Sequence, residues 1–524
     1  MTTFATPVPA TDPAADPVSA STFVDSAVEN AAEAFLGRAV ALWPDAPAVR
    51  DREKAWSYRR LDAAARAVEQ RLAVLGVRPG DRVLARVGSV CEFAALMYGT
   101  WRHGATFVPI SPAMKAYHLR SVLADAEPAL IVTTAAEAAR ADGVAWPAGA
   151  TVLAVDDIAF TPSGTPTGPA RPVPADRLAL LIYTSGSTSA PKAVASPHAP
   201  VAFAARAVAA RLGYRPDDVV LTAVPLSFDY GLYQILLCAL TGAELLLSEA
   251  DAHARLLGFA RDHGATVVPL VPSLGELLVK LATRDQRPTD VRLFTNTGAA
   301  LNAPLITDLR ERFPGAAVAP MFGTTECKRI TILEPDGDLA RPGSVGPALP
   351  GTEVLILDDA ARPLPAGETG EIAVRGPHVM AGYWRAPEAT ALRFRPGPDG
   401  RVTLHTGDYG RLDADGHLYF QGRRDDLFKR RGHRMSAIEI EAAALDVPGV
   451  REAALLVPEG GRDMVLFTVG EATPEQVIEG LSDRLEAAKV PEECQVLPAL
   501  PLTPNGKTDR KRLRAHLEEA EGAR

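Results

Sequence analysis

The chain has 524 residues, 47% hydrophobic and 23% charged, with a formal net charge of −9. That length exceeds one ordinary core, and an acidic chain with scattered arginines (the run Lys429-Arg430-Arg431 apart) carries no footprint for nucleic acid. The four cysteines, Cys91, Cys238, Cys327 and Cys494, lie far apart, which excludes a disulfide framework or zinc module and suits a reducing cytoplasm.

Residues 1–22, rich in Ala, Pro, Thr and Asp, lack a basic start followed by an apolar core and read as a disordered lead-in, not a signal peptide. From about 28 to 350, helical stretches alternate with short apolar strands. Tyr58 to Leu75 places Leu61, Ala65, Val68 and Leu72 on one helical face. A strand over Asp81–Val87, a helix over Val90–Arg102 and a strand over Thr106–Ile110 follow. Further strands are expected at Leu178–Ile182, Val219–Val224, Ala243–Leu247, Thr266–Val271, Val291–Phe294 and Ala316–Met321. Alternation of this kind predicts an α/β fold with helix-covered parallel sheets. The longest apolar stretch, Leu232 to Leu247, is broken by Gln234, Thr241 and Glu244, short of the roughly 18 apolar residues a membrane span needs, so no membrane partner is expected.

Between 350 and 424 the texture changes to short strands (Glu353–Leu357, Gly370–Val374, His417–Phe420) parted by Gly, Pro and Asp, which predicts a small antiparallel barrel-like subdomain. After the polar run Arg423-Arg424-Asp425-Asp426, residues 427–524 read as a small α+β unit. Its expected elements are a helix over Ala437–Leu445, strands at Ala453–Val457 and Val465–Val469, a helix over Pro474–Ala487 and a basic helix after Asp509.

Chemistry concentrates in Tyr183-Thr184-Ser185-Gly186-Ser187-Thr188-Ser189-Ala190-Pro191-Lys192. A strand that empties into hydroxyls, a glycine and a lysine is built to hold an anion: small residues admit backbone N–H groups, hydroxyls add donors and the ammonium supplies charge. Triphosphate is the foremost candidate. The loop is not of the Walker type, because the second glycine and the hydroxyl after the lysine are both missing.

Five companions follow: Asn296-Thr297-Gly298-Ala299-Ala300, Met321-Phe322-Gly323-Thr324-Thr325-Glu326, His405-Thr406-Gly407-Asp408, Gly422-Arg423-Arg424-Asp425-Asp426 and Pro504-Asn505-Gly506-Lys507. Alone, a Glu such as Glu326 or a Lys such as Lys507 is a solvated surface charge, and an Asp such as Asp408 caps a turn. Together, in this order and spacing, the six motifs resemble the adenylate-forming superfamily: acyl-CoA synthetases, adenylation domains of nonribosomal peptide synthesis and luciferases. The resemblance runs from about residue 28 to 516.

It implies a large N-terminal ATP- and substrate-binding domain (23–424, with 350–424 as the barrel-like subdomain) and a small mobile C-terminal domain (425–524). Thr184, Ser185, Gly186, Ser187, Thr188 and Lys192 would cradle the β- and γ-phosphates. Glu326 would hold Mg²⁺, with Thr184 beside it. Thr325 would contact the α-phosphate, and Gly323 and Thr324 belong to the same nucleotide-binding segment. Phe322 would lie on one side of the adenine and Gly298, Ala299 and Ala300 on the other. Asp408 would accept from the ribose hydroxyls, assisted by Arg423. Lys507 would swing in to bridge the substrate carboxylate and the α-phosphate, where an ammonium has the most effect. Asp425 would be the hinge, and Gly432 would line the passage for a phosphopantetheine arm. Ser189 and Ala193 replace the family's glycines with other small residues, and the role of His405 is open.

On the acyl side, Phe228, Asp229 and Tyr230 open a helix. An aspartate here matches amino-acid-activating members, since a carboxylate in an apolar pocket needs a cation such as a substrate ammonium. The alternative for Asp229 is a helix cap. Lys328 and Arg329 stand within reach of either substrate or nucleotide, and a second acidic group on the substrate ranks behind an ordinary amino acid. Without a Gly-Gly-(His/Asp)-Ser attachment site, the chain resembles stand-alone ligases that load an amino acid, α or β, onto a separate phosphopantetheinylated carrier protein, or onto coenzyme A. Its expected cofactors are ATP and Mg²⁺. The alternatives are an acyl- or aryl-CoA ligase and a nucleotide-binding protein without catalysis.

Overall fold

The computed structural model describes residues 30–522 apart from 140–145, 162–171, 185–190, 249–253, 299, 398, 424–426, 431–432, 458–462, 486–488 and 504–507. Two mostly parallel sheets dominate. The first runs in the order Thr151–Ala154, Leu130–Thr133, Arg82–Arg86, Thr106–Pro109, Leu178–Thr184, Lys192–Pro197, with only the last pair antiparallel. The second has eight strands, parallel from Ala317–Phe322 through Leu293–Asn296, Val267–Leu270, Val219–Thr222 and Glu244–Leu247 to Pro47–Arg50. Antiparallel strands Thr331–Ile332 and Ala55–Ser57 close its two edges.

Runs such as Val267-Val268-Pro269-Leu270 are buried at every position, as strands covered on both faces must be. The helix Tyr58–Val74 starts where Ser57 accepts from the Arg60 amide, and the Tyr58 hydroxyl lies 2.7 Å from the carbonyls of Cys238 and Ala243. The helix Cys91–His103 is buried throughout, and its Trp101 indole donates to Ala179 O at 2.8 Å, locking it to the strand that leads into the phosphate loop.

Residues 353–423 form an antiparallel sheet around the long strand Val402–Leu412. That strand carries the His405–Asp408 motif, so a segment read only as a motif is a central strand. The C-terminal sheet joins Val450–Leu456, Val465–Gly470 and Glu493–Val496. The helices Ala437–Leu445 and Pro474–Ser482 pack on one apolar cluster, and Leu513 and Leu517 of the helix Arg510–Gly522 pack on a second. The helix Pro474–Ser482 stops short of the expected Ala487, at Asp483, where the Arg484 guanidinium turns back to Gly480 O and Asp446 O. Among the described residues no helix is long and apolar enough to cross a membrane.

Candidate active site

The strands Leu178–Thr184 and Lys192–Pro197, which flank the expected phosphate loop, pair antiparallel. Thr184 pairs with Lys192 at the strand ends, and the Thr184 hydroxyl donates to Lys192 O at 3.4 Å. The expected cradle residues Ser185, Gly186, Ser187 and Thr188 lie outside the described residues, as do Ala299, Asp425, Gly432 and Lys507. The return strand, missed in the sequence, presents the lysine beside the threonine.

A second element lies against that strand. The segment Met380–Trp384 bonds to it through Trp384 N to Ala193 O, Ala381 N to Ala195 O and Ala195 N to Gly382 O. Lys192 Nζ sits 5.9 Å from the centre of the Tyr383 ring, and the Tyr383 hydroxyl donates to Glu326 Oε1 at 2.6 Å. Burial and the adjacent carboxylate hold that phenol well above its usual pKa, so it stays a donor.

Glu326 belongs to a tight turn that begins at Phe322. Lys328 N donates to Thr324 O and Ile330 N to Phe322 O. A Cβ on Gly323 would stand 2.3 Å from Lys328 O, which explains the glycine. Glu326 is half-buried, and among the described residues no three His, Cys, Asp or Glu groups come together. A lone carboxylate beside a phosphate loop fits an ion that arrives on phosphate oxygens and keeps its waters, as Mg²⁺ does. Phe322, at the strand end, lies 5.0 Å from Phe420, ring centre to ring centre. Gly298 has φ +87°, a left-handed turn just past the strand Leu293–Asn296, and Ala300 is exposed beside it.

Asp408 is only 3% exposed and faces Arg423 across paired strands, Nε to Oδ1 at 3.3 Å. Glu371 supplies what the sequence left open for His405. One carboxylate oxygen lies 3.0 Å from His405 Nδ1 and the other accepts from Gly407 N, so Glu371 clamps both ends of the Thr406-Gly407 turn. Thr406 Oγ1 accepts from Asp408 N and donates to Ile372 O.

The acyl side is more polar than the sequence suggested. Phe228, not Asp229, is the N-cap residue of the helix Asp229–Thr241, and no side chain caps it, so capping does not account for Asp229. A Cβ on Gly231 would meet Pro225 O at 2.5 Å; the glycine lets the helix settle against its own entry loop. The Tyr230 hydroxyl is taken up by Thr295, 2.7 Å from its carbonyl and 2.8 Å from its hydroxyl, which makes this ring a fixed wall. Arg329, 5% exposed, stacks on Tyr230 with Cζ 4.9 Å from the ring centre and reaches Asp229 Oδ2 at 3.8 Å.

Lys328, expected within reach of substrate or nucleotide, is turned inward by a left-handed backbone (φ 67°) to 1% exposure, over the Tyr233 ring. Its ammonium has no hydrogen-bond partner among the described residues, and neither do Arg329 Nε, the Tyr233 hydroxyl or the Ser227 hydroxyl. Burial pulls the Lys328 pKa down to about 8 against the opposing pull of Asp229 and Glu326. The described residues form one string: Lys192, Tyr383, Glu326, the turn to Lys328 and Arg329, then Asp229.

A family model described as AMP-binding enzyme matches residues 36–384, and one described as AMP-binding enzyme C-terminal domain matches 439–507. An L-proline–[L-prolyl-carrier protein] ligase of Pseudomonas fluorescens is 31% identical over 91% of this chain and 98% of its own length. The chain spans only 6% of the nonribosomal peptide synthetase CymA of Salinispora arenicola and 44% of the phosphinothricin tripeptide synthetase PhsC of Streptomyces viridochromogenes, which it also matches. Among solved structures, VinN in complex with L-aspartate is 42% identical over 75% of this chain and 98% of its own, with a TM-score of 0.68. ATP-bound MatB from Rhodopseudomonas palustris is 29% identical over 93% of this chain and 99% of its own, with a TM-score of 0.80.

Proposed function

The chain belongs to the AMP-binding enzyme family of adenylate-forming ligases, and from that premise we propose that it activates an amino acid bearing a second carboxylate. A carboxylate oxygen of the substrate attacks the α-phosphorus of ATP, pyrophosphate leaves, and an aminoacyl-AMP forms. The thiol of a carrier protein's phosphopantetheine arm then attacks the acyl carbon and AMP leaves with the bridging oxygen. Glu326 would hold Mg²⁺, which would supply charge for the phosphates, Lys192 would neutralise phosphate charge, and Lys507 would bridge the reacting carboxylate and phosphate.

The observation that carries the substrate assignment is the buried Lys328 ammonium, without a hydrogen-bond partner among the described residues, beside Arg329 and its neighbour Asp229. An apolar or singly charged substrate would leave that cation dry and unpaired, which costs several kcal/mol. A substrate with one ammonium and one distal carboxylate satisfies the pocket: the ammonium meets Asp229, and the distal carboxylate meets Lys328 and Arg329. The Tyr230 and Tyr233 rings lie beneath those cations. The likeness to VinN, solved with L-aspartate, supports the same reading. A fatty or aryl acid would gain nothing from the three charges.

Amino-acid-dependent exchange of labelled pyrophosphate into ATP tests this with a panel of aspartate, glutamate, their β-amino isomers, asparagine, proline, benzoate and octanoate. Exchange confined to the amino dicarboxylates is expected. Exchange driven by proline, benzoate or octanoate, with the dicarboxylates silent, would refute it.

A further inference from the structure

The segment Met380–Trp384 touches both halves of the nucleotide site, yet none of the six motifs includes it. We propose that Tyr383 is a positioning residue whose hydroxyl orients the Glu326 carboxylate and whose ring seats the Lys192 ammonium. The assignment rests on reading the site as that of an ATP-dependent ligase.

Three observations carry it. The hydroxyl donates to Glu326 Oε1 at 2.6 Å, and the Glu326 main chain is held as well, because Met380 N donates to Glu326 O at 2.9 Å. The glutamate is thus pinned at both ends by one short segment. Secondly, the Tyr383 ring faces Lys192 Nζ at 5.9 Å and is backed edge-on by Phe394 at 5.7 Å. Thirdly, the segment is itself braced: the Trp384 indole donates to Asp125 O, and the Asp125 side chain accepts from the Tyr183 hydroxyl at 2.6 Å, one residue before Thr184. A displacement of the phosphate loop would therefore be felt at Glu326.

The chemistry favours a phenol. Arginine or lysine in its place would orient the carboxylate but cancel the charge a divalent ion needs. A neutral donor fixes one oxygen and leaves the carboxylate anionic for the metal. Phenylalanine would fill the same volume, so the hydroxyl is the part that packing does not explain.

Two variants separate the roles, with ATP binding measured by calorimetry in the absence of amino acid. In Tyr383→Phe, ATP affinity in EDTA should stay within twofold of wild type, while the Mg²⁺ concentration that half-restores tight ATP binding rises about tenfold, the effect of losing one hydrogen bond to a charged group. In Tyr383→Leu, affinity in EDTA should also fall, by about threefold or more, because Lys192 loses its ring. Tyr383→Phe that matches wild type in Mg²⁺ requirement, or that weakens binding equally with and without Mg²⁺, overturns the assignment. Wild-type protein that binds no ATP overturns it together with the ligase reading.

Discussion

Replacing Lys328 by Met keeps the length of the side chain and removes its charge. With Nζ fully buried and the pKa drawn down to about 8 from an ordinary 10.5, keeping this ammonium in the free protein costs roughly 3 kcal/mol at about 1.4 kcal/mol per pH unit. Lys328→Met should therefore be at least as stable as the parent. The catalytic effect runs the other way. Truncating one member of a buried charge pair costs about 2–5 kcal/mol, so kcat/KM for an amino dicarboxylate should fall roughly 30-fold to several thousandfold. For the corresponding amide the sign reverses, because the amide never paired with that cation, and its rate should hold or rise. Pyrophosphate exchange measured side by side with aspartate and asparagine reads this ratio directly. A variant that is stable, active and still as selective for the dicarboxylate as wild type would show that Lys328 does not read the second carboxylate.

Four further outcomes are expected. The groups facing Lys328 are Asp229, Glu326, Cys327, Arg329 and Tyr233; since its proton is held more weakly in the folded chain than in the unfolded one, KM for the dicarboxylate should climb above pH 8, toward tenfold per unit, and this break should vanish in Lys328→Met. The same sign makes the group's contribution to stability increase between pH 8 and 10.5, which melting curves of wild type and Lys328→Met would reveal by their divergence. Lys507→Ala should abolish pyrophosphate exchange while ATP binding stays within a few-fold of wild type; near-normal exchange would remove Lys507 from the chemistry. Glu371→Gln should loosen the turn that sets Asp408 and raise KM for ATP about tenfold with little change in kcat, whereas an unchanged KM would leave the His405–Glu371 pair a purely structural contact.

The layout of the sheets was legible because buried parallel strands leave continuous apolar runs such as Glu244-Leu245-Leu246-Leu247, and because Leu61, Ala65, Val68 and Leu72 mark one face of the helix Tyr58–Val74. Antiparallel strands were harder. Lys192–Pro197 has no strong β-formers beyond Val194 and is held by its hairpin partner Leu178–Thr184, while Val402–Leu412 contains Gly407, Asp408 and Gly410, residues that read as turn formers, and is held in part by Gly370–Arg375, some 30 residues earlier in the chain. Distance along the chain also hid the site's supports. Tyr383 meets Glu326 across 57 residues and Glu371 meets His405 across 34, spacings that no motif encodes. The depth of Lys328 was hidden for a local reason: its position after Glu326 put it within reach of a ligand, but only the left-handed backbone after the Gly323 turn shows that it is driven fully inward.

The most direct measurement follows the oxygen. An amino dicarboxylate labelled with ¹⁸O in its carboxylates is incubated with the enzyme, ATP, Mg²⁺ and a thiol acceptor, and the nucleotide products are analysed by mass spectrometry. Attack of the carboxylate on the α-phosphorus predicts AMP carrying one ¹⁸O, with unlabelled pyrophosphate. Label in inorganic phosphate with ADP as co-product, or AMP free of label, would contradict the account.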